Sequence, residues 1–256
     1  MTPRSRREAI VGLVARAREI SVEDLAQTLA VSRETIRRDL GLLDDHGLIR
    51  KFHGGARKPE GTREVAGDES PFALRMAQNT LEKQVIAALT AGLFRPGDTL
   101  FIDTGSTTLA VADALAGLSH LTVITNSPRI AATIAANRSN KAFVIGGAYA
   151  VEAGETLGAL ALDQLAKFRA QHVVLTVGAI DPACIMDFDV QEAEIARAMI
   201  ERADTVTVVA DHSKFGRRAV FEVAPLARIN RLVTDRHPDP AMAEALVGHR
   251  VQVIVP

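Results

Sequence analysis

Residues 31–40 read "VSRETIRRDL" and place three arginines, Arg33, Arg37 and Arg38, within six positions of a short helical segment. The 256-residue chain carries a formal net charge of −1, so its overall balance does not account for such a cluster. In the same segment Ile36, Leu40 and Leu43 fall at i, i+4 and i+7, which makes one helix face core. Arg33 and Arg37, four apart, share a different face, with Thr35 and Arg38 flanking them. Ser32 stands where an N-cap belongs. Upstream, "SVEDLAQTLAV" opens on Ser21 as a second cap, with Asp24 three residues on in a near capping box and Leu25, Ala26 and Leu29 as the apolar stripe. Earlier still, between Arg4 and Arg16, Ile10, Leu13, Val14 and then Ala17 recur at helical spacing. Downstream, Gly47 is expected to stop the third helix, and "LIRKFHGGARK" reads as a strand, a glycine turn and a second basic strand.

Two short helices, a tight break, a third helix with an arginine face and a basic hairpin make a winged helix-turn-helix. In that geometry the third helix enters the major groove of double-stranded DNA. Arg37 and Arg38 then reach phosphates or guanine edges, while Ser32, Arg33 and Thr35 near the helix start meet backbone or bases. Arg50, Lys51 and His53 of the wing lie along adjacent phosphates, with Gly54 and Gly55 supplying the turn. On this reading the arginines have no partner within the chain because their partner is DNA. The competing reading is a solvated charged face on a protein-docking module, and the wing's lysine and arginines argue against it.

The totals agree with a two-part chain. An apolar content of 47% over this length supports one large core or two smaller ones, and two domains is the better expectation. Residues 1–58 carry a net +4 and the remainder a net −5, a basic head on an acidic body. One cysteine, Cys184, rules out an internal disulfide and fits a reducing compartment. No window approaches the roughly 20 apolar residues of a membrane span, and the N-terminal stretch does not read as a signal peptide, so a soluble, cytoplasmic protein is expected. Residues 1–57 form the predicted DNA-binding domain, 58–71 a polar linker, and 72–256 a second domain that opens on one long helix ending before Pro96-Gly97.

In the second domain, "DTLFID", "LTVIT", "KAFVIGG", "HVVLTVGAID" and "TVTVVADHSKFG" each read as a strand running into a polar loop, with helical segments between. That alternation predicts an α/β, doubly wound, mainly parallel sheet, whose ligands bind at the carboxyl ends of the strands. The residues gathered there are Asp103, Thr104, Gly105, Ser106, Thr107 and Thr108, then Asn126 and Ser127, then Gly146 and Gly147. Glycines admit close backbone approach, and hydroxyls beside amides at a helix start favour an anion such as a phosphate. Asp181 and Asp211 add polar contacts, and Lys214 supplies a compact positive charge. No His/Cys cluster has metal-ligand spacing, so neither a metal nor a cofactor is expected.

The run "SVEDLAQTLAVSRETIRRDLGLLDDHGLIRKFHGGA" resembles the N-terminal signature of the DeoR family of bacterial transcriptional regulators. "FIDTGSTT", "VITNS", "VIGGAY", "GAID" and "VADHSKFG" resemble, in order, the effector-binding domain of that family. The resemblance implies a sensor domain similar to ribose-5-phosphate isomerase that binds phosphorylated sugars, and hence a repressor released from its operator by such an effector. "DFDVQEAEIARAMI" and the His212-containing "DHSKFG" look most like the glycerol-3-phosphate subgroup, which implies glycerol-3-phosphate, with another sugar phosphate as the alternative. It also implies a homodimer or homotetramer on palindromic DNA, away from any membrane. Ala196 and Gln171 depart from the family pattern of lysine and aspartate, with possible consequences for what the pocket accepts.

The rival class is a working sugar-phosphate isomerase, which needs a positioned general base. Alignment back from Asp211 and Lys214 puts Ala196 at the isomerases' glutamate, with Glu192 and Glu194 nearby but out of register. The expectation is therefore a sensor that keeps the cradle without the base, and not an enzyme. Cys184, with no evident histidine partner, is expected to be a structural or incidental thiol.

Overall fold

The structure is a computed structural model that describes residues 3–17, 19–45, 48–57 and 69–256. The head begins with α1 (Pro3–Ala17), β1 (Glu19–Ser21), α2 (Val22–Leu29) and α3 (Arg33–Asp45), followed by β2 (Arg50–Phe52) and β3 (Gly55–Arg57). Ser21 caps α2 as its sequence suggests: its hydroxyl accepts from the Asp24 amide and donates to the Asp24 carboxylate. Ser32 does the same for α3, accepting from the Thr35 amide. Ile10, Val14, Leu25, Ile36, Leu40 and Leu43 form the buried centre of the head. The buried Asp39 carboxylate pins α3 to α1 through Arg6 at 2.6 Å. The wing is a three-stranded antiparallel sheet in the order β1-β3-β2, so the strand at Glu19–Ser21, which sequence reading leaves out, closes it. Gly54 turns the hairpin with φ +99, and a Cβ on Gly55 would meet the Ile20 carbonyl oxygen at 2.5 Å. Gly47 and the linker from 58 to 68 lie outside the described residues.

The expected long helix after the linker is two. α4 (Phe72–Ala77) ends at Gln78, whose backbone is extended, and Asn79 follows with φ +52, so the chain leaves the helical path there. α4 packs on α1, with Leu74 and Ala77 against the head core. Among the described residues the head unit therefore includes Ser70–Thr80, whereas Glu69 and Leu81–Pro256 form the second unit. Among the described residues the chain thus enters the head unit at Ser70 and leaves it after Thr80, because the apolar side of α4 is buried by the head.

The second unit runs α5 (Thr80–Ala91), β4 (Thr99–Ile102), α6 (Ser106–Leu115), β5 (Thr122–Thr125), α7 (Pro128–Ala136) and β6 (Lys141–Val144). A hairpin of β7 (Ala148–Ala150) and β8 (Glu155–Leu157) follows, then α8 (Ala159–Leu165), β9 (Ala170–Leu175), β10 (Ala179–Ile180), β11 (Cys184–Asp187) and α9 (Val190–Glu201). The chain closes with β12 (Ala203–Val209), β13 (Phe221–Pro225), β14 (Arg231–Val233), α10 (Pro240–Gly248) and β15 (Gln252–Ile254). Seven strands form one parallel sheet in the order β15-β14-β12-β9-β4-β5-β6, as the alternating pattern predicts. The strands are apolar runs such as "TLFI" and "TVIT", buried because helices cover the sheet. A small antiparallel sheet, β10-β11-β13, was not expected. Strand order reverses between β4 and β9: from β4 the chain winds outward to β6, then returns to β9 on the other side of β4. Loops diverge at such a switch point and leave a crevice at the carboxyl ends of the two strands.

No helix among the described residues is long and apolar enough to cross a membrane. Ile36→Ala should destabilise the head by about 2–5 kcal/mol through the cavity it leaves. Urea denaturation checks this: the head transition moves to lower denaturant while the sensor transition stays in place.

Candidate functional site

In the head, Arg33, Arg37 and Arg38 project from α3 with side chains 57–80% exposed. They are not without internal partners, contrary to the sequence expectation. Arg33 lies 3.4 Å from Glu23, and Glu34 lies 4.0 Å from Arg37 and 3.6 Å from Arg38. Glu34 precedes them by one helical turn, so the i,i+3 and i,i+4 spacing makes these contacts automatic. Exposed pairs of this kind are worth about 0.2–1 kcal/mol and give way readily to a polyanion. Ser32 and Thr35 share a hydrogen bond at 2.9 Å between their hydroxyls at the start of the same helix. Arg50, Lys51 and His53 are exposed on the wing, and the Lys51 amide donates to Asp44 at 3.1 Å, tying wing to α3.

The second site is the carboxyl edge of the sheet at the switch point of β4 and β9. Asp103 ends β4, is buried, and accepts the Thr176 amide on both carboxylate oxygens at 3.1 and 3.0 Å. Gly105 follows, where a Cβ would lie 2.1 Å from the Thr176 methyl, so only glycine lets the two loops approach this closely. Its carbonyl accepts the Thr108 hydroxyl, and α6 starts at the half-buried Ser106, with Thr107 buried in the same turn. Next along the sheet, the Thr104 hydroxyl donates to Asn126, whose amide donates to Glu155 of β8 at 2.9 Å. Gly146 and Gly147 carry the chain from β6 into the hairpin, where the Gly146 amide donates to Gln164. Beyond β12, Asp211 caps the turn that presents Lys214 by accepting from the Ser213 amide and hydroxyl.

Several expected contacts are engaged within the protein. Thr108 and Ser127 are fully buried, and Ser127 caps α7 by accepting from the Ile130 amide, so both shape the crevice wall from behind. Asp181 accepts from the amides of Ala183 and Cys184 in the hairpin between β10 and β11. Gln171 sits at the start of β9 and clasps Thr99 at the start of β4, at the amino ends of the strands, so it cannot shape a pocket at the opposite edge. Cys184 lies in β11, and burial, with Asp181 and Glu222 adding, pushes its thiol up to about 11, which keeps it protonated.

The structure also brings in residues that sequence reading passed over. Glu69, Asp187 and Glu192 place carboxylate oxygens within 4.8 Å of one another. Lys214 donates to Glu69 at 3.0 Å, and the two side chains are only 13% and 11% exposed. Lys83 of α5 is buried and engaged, the only buried lysine among the described residues. Ala196 is itself buried, yet Glu192 precedes it by four residues on the same helix face and joins the acid cluster. The position aligned with the isomerases' glutamate is thus Ala196, as expected, with the Glu192 carboxylate one helical turn away. Burial pushes the Asp103 carboxyl well above its ordinary range; the Thr176 bond opposes this, while Asp187, Glu155 and Glu192 add to it. Burial also raises Glu155, against its hydrogen bonds with Glu192, Asn126 and Thr104. By contrast, burial would raise Asp235, but the bonds from His212 and Arg236 outweigh it and hold the group low.

Known proteins align with both units. Residues 6–62 match the DeoR-like helix-turn-helix domain, and residues 78–236 match the DeoR C terminal sensor domain. HTH-type transcriptional repressor CsqR of Escherichia coli (strain K12) is 34% identical over 100% of this chain and 97% of its own length. The glycerol-3-phosphate regulon repressor of the same organism is 34% identical over 99% of each chain. Among solved structures, ribose 5-phosphate isomerase A from Methanocaldococcus jannaschii is 13% identical with a TM-score of 0.41, covering 54% of this chain and 55% of that one. A DNA-binding helix-turn-helix joined to a small-molecule sensor domain defines a ligand-responsive transcriptional regulator. The chain belongs to the DeoR family of such regulators.

Asp103 gives the sensor a pH dependence of definite sign. Its folded-state value is raised, so its contribution to stability is fully present below the unfolded value near about 3.9 and is lost as pH rises through the folded value. Asp103→Asn, which cannot titrate, should flatten the decline in thermal stability from about pH 4 towards neutrality. Melting curves across that range check it, and identical slopes for variant and wild type would assign Asp103 an ordinary carboxyl.

Proposed function

We propose that the chain is a cytoplasmic repressor of a carbohydrate or glycerol catabolic operon. It binds palindromic operator DNA as a dimer or higher oligomer and lets go when a phosphorylated polyol or sugar, glycerol-3-phosphate first among them, enters the sensor crevice. The observation that carries this reading is the pairing, in one chain, of an exposed arginine face on α3 with a polar crevice at the switch point of a parallel sheet.

The crevice chemistry supports a phosphorylated polyol. The amides at the start of α6, beside Gly105, Ser106 and Thr107, favour an anion, and Lys214 offers an ammonium. Asp103 and Glu155 offer acceptors to the hydroxyls of a polyol. The name of one relative, the glycerol-3-phosphate regulon repressor, ranks that polyol phosphate ahead of a tetrose, pentose or hexose phosphate. The carboxylates around Glu192 also meet the first requirement of an isomerase, so the sensor reading rests on the DNA-binding head and on regulator relatives aligned over the full chain. Release of DNA requires the effector to bind two arrangements of the protein with different affinities, typically a coupling of about 1–3 kcal/mol.

Arg37→Ala should weaken operator binding by about 1–3 kcal/mol if the side chain reads a guanine, or lower the salt slope by about 1 if it meets a phosphate. Effector binding should be unchanged, and salt-dependent DNA titrations of the variant measure both effects. Unaltered operator affinity and slope would remove α3 from the groove. Thermal unfolding against a panel of phosphorylated polyols tests the effector. The right compound at a hundred times its dissociation constant stabilises the fold by about 2.7 kcal/mol, and a panel without any shift overturns the phosphate reading.

A further inference from the structure

We propose that Glu69 is an internal stand-in for the effector's anion, holding Lys214 until the effector displaces it, and that this exchange carries the signal into the head. The inference rests on the effector reading above and extends it to the regulation of the same site. Lys214 donates to Glu69 at 3.0 Å with both side chains largely withdrawn from solvent. Such a pair differs from the exposed arginine pairs on α3, because solvent screens it far less.

Two features make the pair exchangeable. Glu69 stands within 4.8 Å of the Asp187 and Glu192 carboxylates, so like charges lie beside the pair. A phosphate that reaches the Lys214 ammonium adds further negative charge to the same place. Glu69 and the phosphate cannot both remain there, and binding of one expels the other.

The position of Glu69 in the chain gives the exchange its consequence. Glu69 belongs to the sensor unit, and the next residue, Ser70, belongs to the head unit together with α4. The first turn of α4 hangs on Pro71, whose carbonyl accepts the amides of Leu74 and Arg75, and Leu74 packs against the head core. Breaking the Lys214 contact therefore loosens the chain one residue before it enters the head unit at Ser70. An effector that binds only the released form shifts the population towards that form by its difference in affinity.

The test uses the full-length protein as wild type, Glu69→Ala, Glu69→Gln and Lys214→Ala. Hydrogen exchange without any ligand reads the contact itself. Breaking it from either side should speed exchange of the Leu74 and Arg75 amides, and unchanged exchange in both alanine variants overturns the proposal whatever the effector is. Calorimetric titration with sn-glycerol 3-phosphate reads the competition: Glu69→Ala should bind at least about fivefold more tightly than wild type. Glu69→Gln, which keeps an acceptor and loses the charge, should gain less, and Lys214→Ala should lose binding. Wild-type affinity in Glu69→Ala together with a loss in Lys214→Ala sinks the internal ligand and leaves the effector reading standing. If no protein binds the probe, glycerol-3-phosphate falls as the effector, and the exchange measurement alone decides whether Glu69 holds the chain beside Ser70.

Discussion

The contact on which the sensor depends is the one between the Asp103 carboxylate and the Thr176 amide. It joins the loops that leave β4 and β9, the two strands between which the winding of the sheet reverses. Gly105 lies so close to Thr176 that no side chain fits between them, and α6 begins from that point. The carboxylate that locks the two loops together is itself buried. Burial then raises Asp103, and the neighbouring Glu155, Asp187 and Glu192 compound the effect. The character of the whole pocket follows from one buried acid held by a backbone amide.

Charge is handled in opposite ways in the two units. On α3 the arginines and their glutamates stand in water, where solvent screens each pair and partners exchange at little cost. A surface of that kind suits a polyanion whose phosphates replace Glu23 and Glu34 one for one. In the sensor, Lys214 and Glu69 are withdrawn from solvent among further carboxylates, so every partner lost must be replaced. Loose charges suit a DNA surface, and tightly held ones suit a site that distinguishes one small anion from another.

The way α4 folds shows how tertiary contacts redraw a boundary. The residues from Phe72 to Phe94 are apolar enough at helical spacing to read as a single helix of the sensor. The structure breaks that helix at Gln78 and Asn79, and the first piece finds its apolar partner on α1. Asn79 is one of the few non-glycine residues that tolerates the left-handed region, so the break has a local basis, and α4 then buries its apolar side on the head core.

The sequence by itself determined what depends on neighbours along the chain. The caps at Ser21 and Ser32, the core stripe of Ile36, Leu40 and Leu43, the glycine turn of the wing and the strand-helix alternation of the sensor all follow from spacing, and the structure contains each of them. The parallel sheet in turn placed Asp103, Asn126, Gly146 and Asp211 at one edge before any coordinate was known. Only the tertiary structure decided which side chains meet there. Glu69, Glu155 and the run holding Asp187 and Glu192 lie far apart along the chain, and spacing gives no sign that they meet. Gln171, a departure in the right domain, proved to be at the wrong end of its strand. Spacing along a chain reports which face of a helix or strand a residue occupies, whereas a pocket depends on distances across the sheet, and those are set by packing.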